Sequence, residues 1–176
     1  DLYLLDINSK EVQQLNIPHQ GRKGKVLFSP DGANLCFTYS RDAKIYNNRL
    51  LAIFNLETQT ISYPRIEIDE NIYPLRWLEN GIAIEWLDKT NSCIGIVKEN
   101  GDITNLVKQE DCYIKTVSIS LDGKNISYIK GSSQECFEVY LNNTGVTNYS
   151  HLLNDYLYTR KQVIKWLSSD GREIEG

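Results

Sequence analysis

Short apolar runs in which every second residue is hydrophobic dominate this chain. They occupy residues 2–7 (LYLLDI), 34–40 (NLCFTYS), 50–56 (LLAIFNL), 81–87 (GIAIEWL), 93–98 (CIGIVK), 125–130 (NISYIK) and 137–142 (FEVYLN). Alternation with period two sends successive side chains to opposite faces of a strand. The runs are rich in β-branched and aromatic residues, and most are bounded by Gly, Asn or Asp, so each predicts a β-strand. Helical spacing is confined to residues 150–158, where Leu152, Leu153, Tyr156 and Leu157 predict a short helix or turn-rich segment. The fold class expected is all-β.

The runs also repeat. Residues 26–40 (VLFSPDGANLCFTYS) match 117–130 (VSISLDGKNISYIK), and 74–87 (PLRWLENGIAIEWL) have the same form between them. The turn glycines Gly32, Gly81 and Gly123 stand 49 and then 42 residues apart. A second strand–turn–strand unit follows each, at 50–63, 94–107 and 137–150, and the opening segment 2–15 is such a second unit without a first. Asp6 then corresponds to Asn55. Four-strand repeats of this period are blades of a β-propeller, because each small sheet buries its faces only against neighbours. Asp31-Gly32, Asn80-Gly81, Asn100-Gly101 and Asp122-Gly123 supply residues that tolerate the positive φ of tight hairpins. The expectation is a partial propeller of about three and a half four-stranded blades: half a blade at 1–16, then blades at 17–63, 64–108 and 109–150.

Composition narrows the functional classes. A chain with 41% hydrophobic and 24% charged residues is not disordered, and a formal charge of -4 argues against nucleic acid as a partner. No apolar run approaches the length of a membrane-spanning helix. The absence of methionine suggests a processed or excised piece. With no signal peptide at its start, a cytoplasmic location is the default expectation. The four cysteines, Cys36, Cys93, Cys112 and Cys136, lack zinc-site spacing and read as buried small hydrophobes, three of them (Cys36, Cys93 and Cys136) within strand-like runs. Cys93 and Cys136 hold equivalent positions in adjacent blades, about one sheet spacing (~10 Å) apart. That exceeds the ~7 Å a disulfide spans, so no bond is expected between them. The sequons at Asn125, Asn142 and Asn148 are common by chance in an Asn-rich chain.

Two stretches carry a family resemblance. Ser29-Pro30-Asp31-Gly32, echoed at Ser120-Leu121-Asp122-Gly123, resembles blades of TolB-like propellers and of prolyl oligopeptidase-family serine peptidases. The segment 146–176 is similar to the exit from the propeller in acylaminoacyl-peptidase and dipeptidyl-peptidase members of that family. Val163, Ile164, Trp166, Ser169, Asp170, Gly171, Ile174 and Gly176 stand at its S-x-D-G-x-x-I-x-G positions and the strand before them. The resemblance implies that 151–176 is a linker and first strand leading to an α/β-hydrolase domain absent from this chain. It further implies a Ser-His-Asp site in that domain, to which the propeller admits only short peptides. The alternative is a non-catalytic TolB-like propeller acting as a protein-interaction module.

The chain's own residues offer no catalytic set. No G-x-S-x-G nucleophile elbow occurs. His19 and His151 fall in loop segments with no Ser or Asp arranged as partners. Hence no catalytic, cofactor-binding or metal-ligating residue is assigned, and no cofactor is expected. Glu67 and Asp69 alternate as if on one strand face beside Glu70, with Glu110-Asp111 at the corresponding entry to the next blade; these read as solvated charge. Arg22, Lys23 and Lys25, and Arg160, Lys161 and Lys165, form basic clusters read as solvated faces. Trp77 and Trp86 are core candidates, and Trp166 is expected to pack at the boundary with the absent domain. An open ring exposes the apolar faces of its terminal blades, so self-association is expected.

Overall fold

The alternating runs fold as strands of five antiparallel sheets in a computed structural model that describes residues 1–18, 21–42, 44, 46–109, 112–157 and 161–176. A two-stranded sheet, β1 (Tyr3–Leu5) and β2 (Val12–Gln14), comes first. Three four-stranded sheets follow in sequential order. They are β3 (Lys23–Phe28) to β6 (Ile61–Ser62), β7 (Tyr73–Leu78) to β10 (Ile103–Gln109), and β11 (Cys112–Ile119) to β14 (Thr144–Gly145). Their inner strands are β4 (Asn34–Tyr39), β5 (Leu50–Asn55), β8 (Gly81–Asp88), β9 (Asn91–Val97), β12 (Ile126–Ser132) and β13 (Glu138–Leu141). The chain closes on the hairpin β15 (Lys165–Leu167) and β16 (Glu173–Glu175). Residues 150–157 take the turn-rich form of that segment, with one 3-10 turn at Ser150–Leu153.

Period two explains why central strands read as continuous burial. Along β4 and β5, Leu35, Phe37, Tyr39, Ala52 and Phe54 pack toward the first pair of strands with Leu2, Leu4 and Leu15. The intervening Cys36, Leu51 and Ile53 pack toward the second blade, against Ile72, Ile82, Ile84 and Trp86. The second blade repeats the division: Ala83, Ile94 and Ile96 face the third, meeting Ile119, Ile126 and Tyr128. Every apolar cluster is thus a joint between neighbouring sheets. Gly95 makes one joint possible, because a Cβ there would lie 2.8 Å from the Thr104 carbonyl and 3.1 Å from the Trp86 ring.

The first strands of successive blades run beside one another, β3 against β7 and β7 against β11. In each, the pairing with the second strand shifts register near its middle: between Lys23 and Val26, Pro74 and Arg76, and Lys115 and Ser118. A bulge at the same place in three blades bends each inner strand alike.

The turns after the first strands of the first and third blades share one hydrogen-bonded lock. Ser29 Oγ donates to Asp31 Oδ1 (2.5 Å) and accepts from the Asn34 amide (2.9 Å), while Gly32 N–H donates to the Ser29 carbonyl at φ +74. Ser120, Asp122, Gly123 and Asn125 repeat it, at 2.5 Å for the side-chain bond. The same lock closes the last hairpin, where Ser168 Oγ donates to Asp170 and accepts from the Arg172 amide. Ser168 is therefore the structural counterpart of Ser29, rather than the Ser169 picked out in the sequence. The third-to-fourth strand turn also recurs: Asp6 Oδ1 accepts the amides of Asn8 and Ser9, as Asn55 Oδ1 accepts those of Glu57 and Thr58.

Two expectations are corrected. Glu67 and Asp69 do not share a strand face, because residues 63–72 between β6 and β7 run as an irregular strap. The alternation there serves instead to pack Ile66 and Ile68 against the joint between the first two blades. All four cysteines are free, but the buried three are Cys36, Cys93 and Cys112, while Cys136 precedes β13 half-buried.

Candidate functional site

Each blade has two unlike ends. The turns after the first strands lie at one: the locked turns at 29–32 and 120–123 and the tight hairpin at 79–80. At the other lie the longer connections 40–49 and 132–137, the β8–β9 turn and the strap 63–72. The hairpin docks at this loop end. Lys89 of the β8–β9 turn pairs with Glu175 (3.2 Å) and Glu173 (3.9 Å), and Lys165 pairs with Glu173 (3.1 Å) and Glu175 (3.8 Å).

A recess of about 180 Å³ opens here between the second and third blades, lined by Glu70, Asn71, Tyr73, Glu85, Ser92 and Ile114 among others. Strand order builds it. Tyr73 opens β7 opposite Glu85 of β8, and Glu85 pairs in turn with Ile94 of β9. Ser92 stitches the blades across its rear, its Oγ donating to the Cys112 carbonyl and accepting from the Ile114 amide, both at 3.3 Å. Asn71 Oδ1 accepts the Arg49 amide (3.0 Å), and the Arg49 guanidinium lies over the Tyr73 ring (5.8 Å). Burial pushes the Glu85 carboxyl up from the ordinary glutamate range, and Lys25 of the first blade draws it only partly back. The Lys25 ammonium itself donates to the Leu75 carbonyl at 3.5 Å, bridging two inner strands.

A second hollow of about 490 Å³ adjoins it, bordered by Glu67, Asp69, Glu70, Asp88 and Lys89. The acidic residues singled out in the sequence thus gather with Asp88 on one surface, Asp69 accepting from Asn48 Nδ2 at 3.2 Å. Glu110, Asp111, His19 and Arg160 lie outside the described residues. Of the basic side chains singled out, Lys161 stands over the Tyr113 ring (5.0 Å), and Lys165 belongs to the hairpin's ion pairs. Trp86 is buried and Trp77 partly buried in the joint between the first two blades, whereas Trp166 is 48% exposed on β15.

The Ser–Asp pairs of the three locks are not catalytic diads, since each serine oxygen is occupied by a backbone amide and no histidine adjoins it among the described residues. His151 is exposed, its Nδ1 against the Asn148 carbonyl. Burial, reinforced by Asp88, raises the Cys93 thiol, and burial pushes Cys36 to about 12, so both stay protonated at neutral pH.

No family model matches the sequence, and no curated protein matches it. Among solved structures, TolB from Acinetobacter baumannii superposes with a TM-score of 0.60 at 21% identity, over 83% of this chain and 36% of that one. The chain has a β-propeller fold. A puromycin hydrolase, alone and as a mutant complexed with PGG, matches at TM-scores of 0.47 and 0.46 and 14% identity, over 96% of this chain and 35% of that one. The propeller described here spans about a third of the length of these proteins.

Proposed function

We propose that this chain is propeller from a prolyl oligopeptidase-family serine peptidase, in which it gates the approach of short peptides to a Ser-His-Asp site on a hydrolase domain. The chain itself is non-catalytic in this reading. One observation supports it above others: the W-x-S-S-D-G-x-x-I-x-G segment that resembles the family's entry to the hydrolase domain is the next sheet after the third blade, reached through the exit segment 146–164. It forms a hairpin at the loop end, beside the recess and the acidic hollow. A domain joined after this hairpin would cover that end, and the hollow's carboxylates would draw cationic peptide ends toward it.

The test is made on the protein encoded by the whole reading frame. An active-site fluorophosphonate is expected to label it on one serine beyond Gly176, and hydrolysis is expected to fall steeply as peptide substrates lengthen. Absence of any labelled serine would overturn the reading.

A second reading, a non-catalytic TolB-like module for protein binding, is favoured by one specific feature. The lock at Ser168 repeats the blade locks at Ser29 and Ser120, so the tail resembles ordinary blade structure as well as a domain entrance.

A further inference from the structure

Glu85 breaks the pattern of the repeat. In the second strand of the first blade, Thr38 lies between Phe37 and Tyr39, which face the first pair of strands; alternation turns Thr38 toward the second blade, where it is buried. In the second blade Glu85 takes this place, between Ile84 and Trp86, and is turned toward the third blade. In the third blade the residue after Tyr128 is Ile129. A carboxylate thus stands where the other two repeats carry a threonine and an isoleucine.

The joint opens around it. The recess of about 180 Å³ has Glu85, Tyr73, Trp86, Ile94 and Ile114 in its walls, and Glu70 on the border it shares with the acidic hollow. These walls come from the second and third blades and the strap before β7, so the recess is built within the chain. The polar groups at its rear and rim are satisfied, since Ser92 Oγ both donates and accepts and Asn71 Oδ1 takes the Arg49 amide. The Glu85 carboxylate is not: among the described residues it accepts no hydrogen bond and joins no ion pair. Lys25, the cation that acts on it from the first blade, is exposed and donates to the Leu75 carbonyl. No lysine or arginine stands among the described residues that line the recess.

The group that suits these walls is cationic, flat and weakly hydrated. A cation compensates a carboxylate that burial has parted from water, and an aromatic wall attracts a cation to its face. A guanidinium meets a carboxylate through two parallel N–H bonds and sheds its water more readily than an ammonium. The rim displays such a contact already, with the Arg49 guanidinium over the Tyr73 ring at 5.8 Å. The recess has the size of one side chain, below the ~300 Å³ at which pockets for whole small molecules begin. We propose that the recess between the second and third blades binds the guanidinium of an arginine side chain on a peptide, held by the Glu85 carboxylate beside the Tyr73 ring. The proposal stands apart from the peptidase reading, because binding needs the recess alone.

The experiment is isothermal titration calorimetry on the protein encoded by the whole reading frame, with N-acetyl-arginine methylamide as ligand. Its capped ends leave the guanidinium as its one charge. The citrulline counterpart keeps the outline without the charge, and the lysine counterpart replaces the guanidinium by an ammonium. Saturable binding of the arginine compound at one site is expected, with the lysine compound weaker and the citrulline compound about tenfold weaker or more. Glu85→Gln preserves the side chain's shape and should lower the affinity for the arginine compound by a similar factor of about ten or more. Asp88→Asn, three residues farther along β8 and about 10 Å away, should leave that affinity unchanged, which separates the recess from general attraction to an acidic surface. Absence of saturable binding, equal affinity for the citrulline or lysine compound, an unchanged affinity in Glu85→Gln, or an equal loss in Asp88→Asn would overturn the inference. None of these outcomes depends on whether a fluorophosphonate labels the protein.

Discussion

The turn locks set the acid behaviour of single residues. Hydrogen bonds from Ser29, Ser120 and Ser168, with backbone amides, hold Asp31, Asp122 and Asp170 below the ordinary aspartate range. A carboxyl with a lowered folded-state pKa favours folding once the unfolded chain is ionised, and that contribution fades as pH falls through the folded value. The thermal midpoint should therefore drop as pH falls below about 4, and the Asp31→Asn, Asp122→Asn double variant should have a flatter acid limb and a lower midpoint at pH 7. Equal slopes for the two proteins would refute this role. Glu85 works in the opposite sense. Its pKa is raised by burial, so its charge opposes folding above the folded value and ceases to do so below the ordinary glutamate range. Glu85→Gln should match or exceed the parent midpoint at pH 7 and converge with it in acid; a clear loss at pH 7 would reveal a partner that the recess does not display. Glu138 resembles the aspartates. Although its 6% exposure disfavours charge, hydrogen bonds from Thr147 and Ser150 hold the carboxyl low and pin the exit segment to β13.

At the scale of elements, the joints carry the stability. Phe54 is fully buried between the first pair of strands and the first blade; Phe54→Ala should cost about 3–5 kcal/mol in chemical denaturation. Val12→Ala, at an exposed position, should stay within about 0.5 kcal/mol. Gly95→Ala forces a methyl group against the Thr104 carbonyl and Trp86, and should cost about 1–3 kcal/mol. Similar losses at Phe54 and Val12 would contradict the assignment of faces. Most of this level was legible in the sequence, because alternation and turn chemistry are local. The run at 50–56 emerged as Leu50–Asn55, and Asp6 proved to be the turn counterpart of Asn55. The alternation in 65–70 misled because Ile66 and Ile68 need a buried side to pack on, not a strand partner, and the strap supplies the one without the other. The recess was not legible at all: Glu85 is unusual only once Tyr73, Ile114 and Lys25 arrive from other strands, and no spacing along the chain records that meeting.

For the whole molecule, propeller architecture accounts for the even repeat, the two-faced burial and the sequential strand order together. The hairpin, the desolvated Glu85 and the acidic hollow converge at the loop end, the surface that a hydrolase domain would cover under the proposed function. The proposal that this surface belongs to a serine peptidase is tested most directly by the nucleotide sequence that follows the codon for Gly176 in the parent gene. An uninterrupted reading frame encoding an α/β-hydrolase is expected there, with a G-x-S-x-G elbow followed in order by its acid and its histidine. A stop codon shortly after Gly176, or a continuation without that elbow, would contradict it.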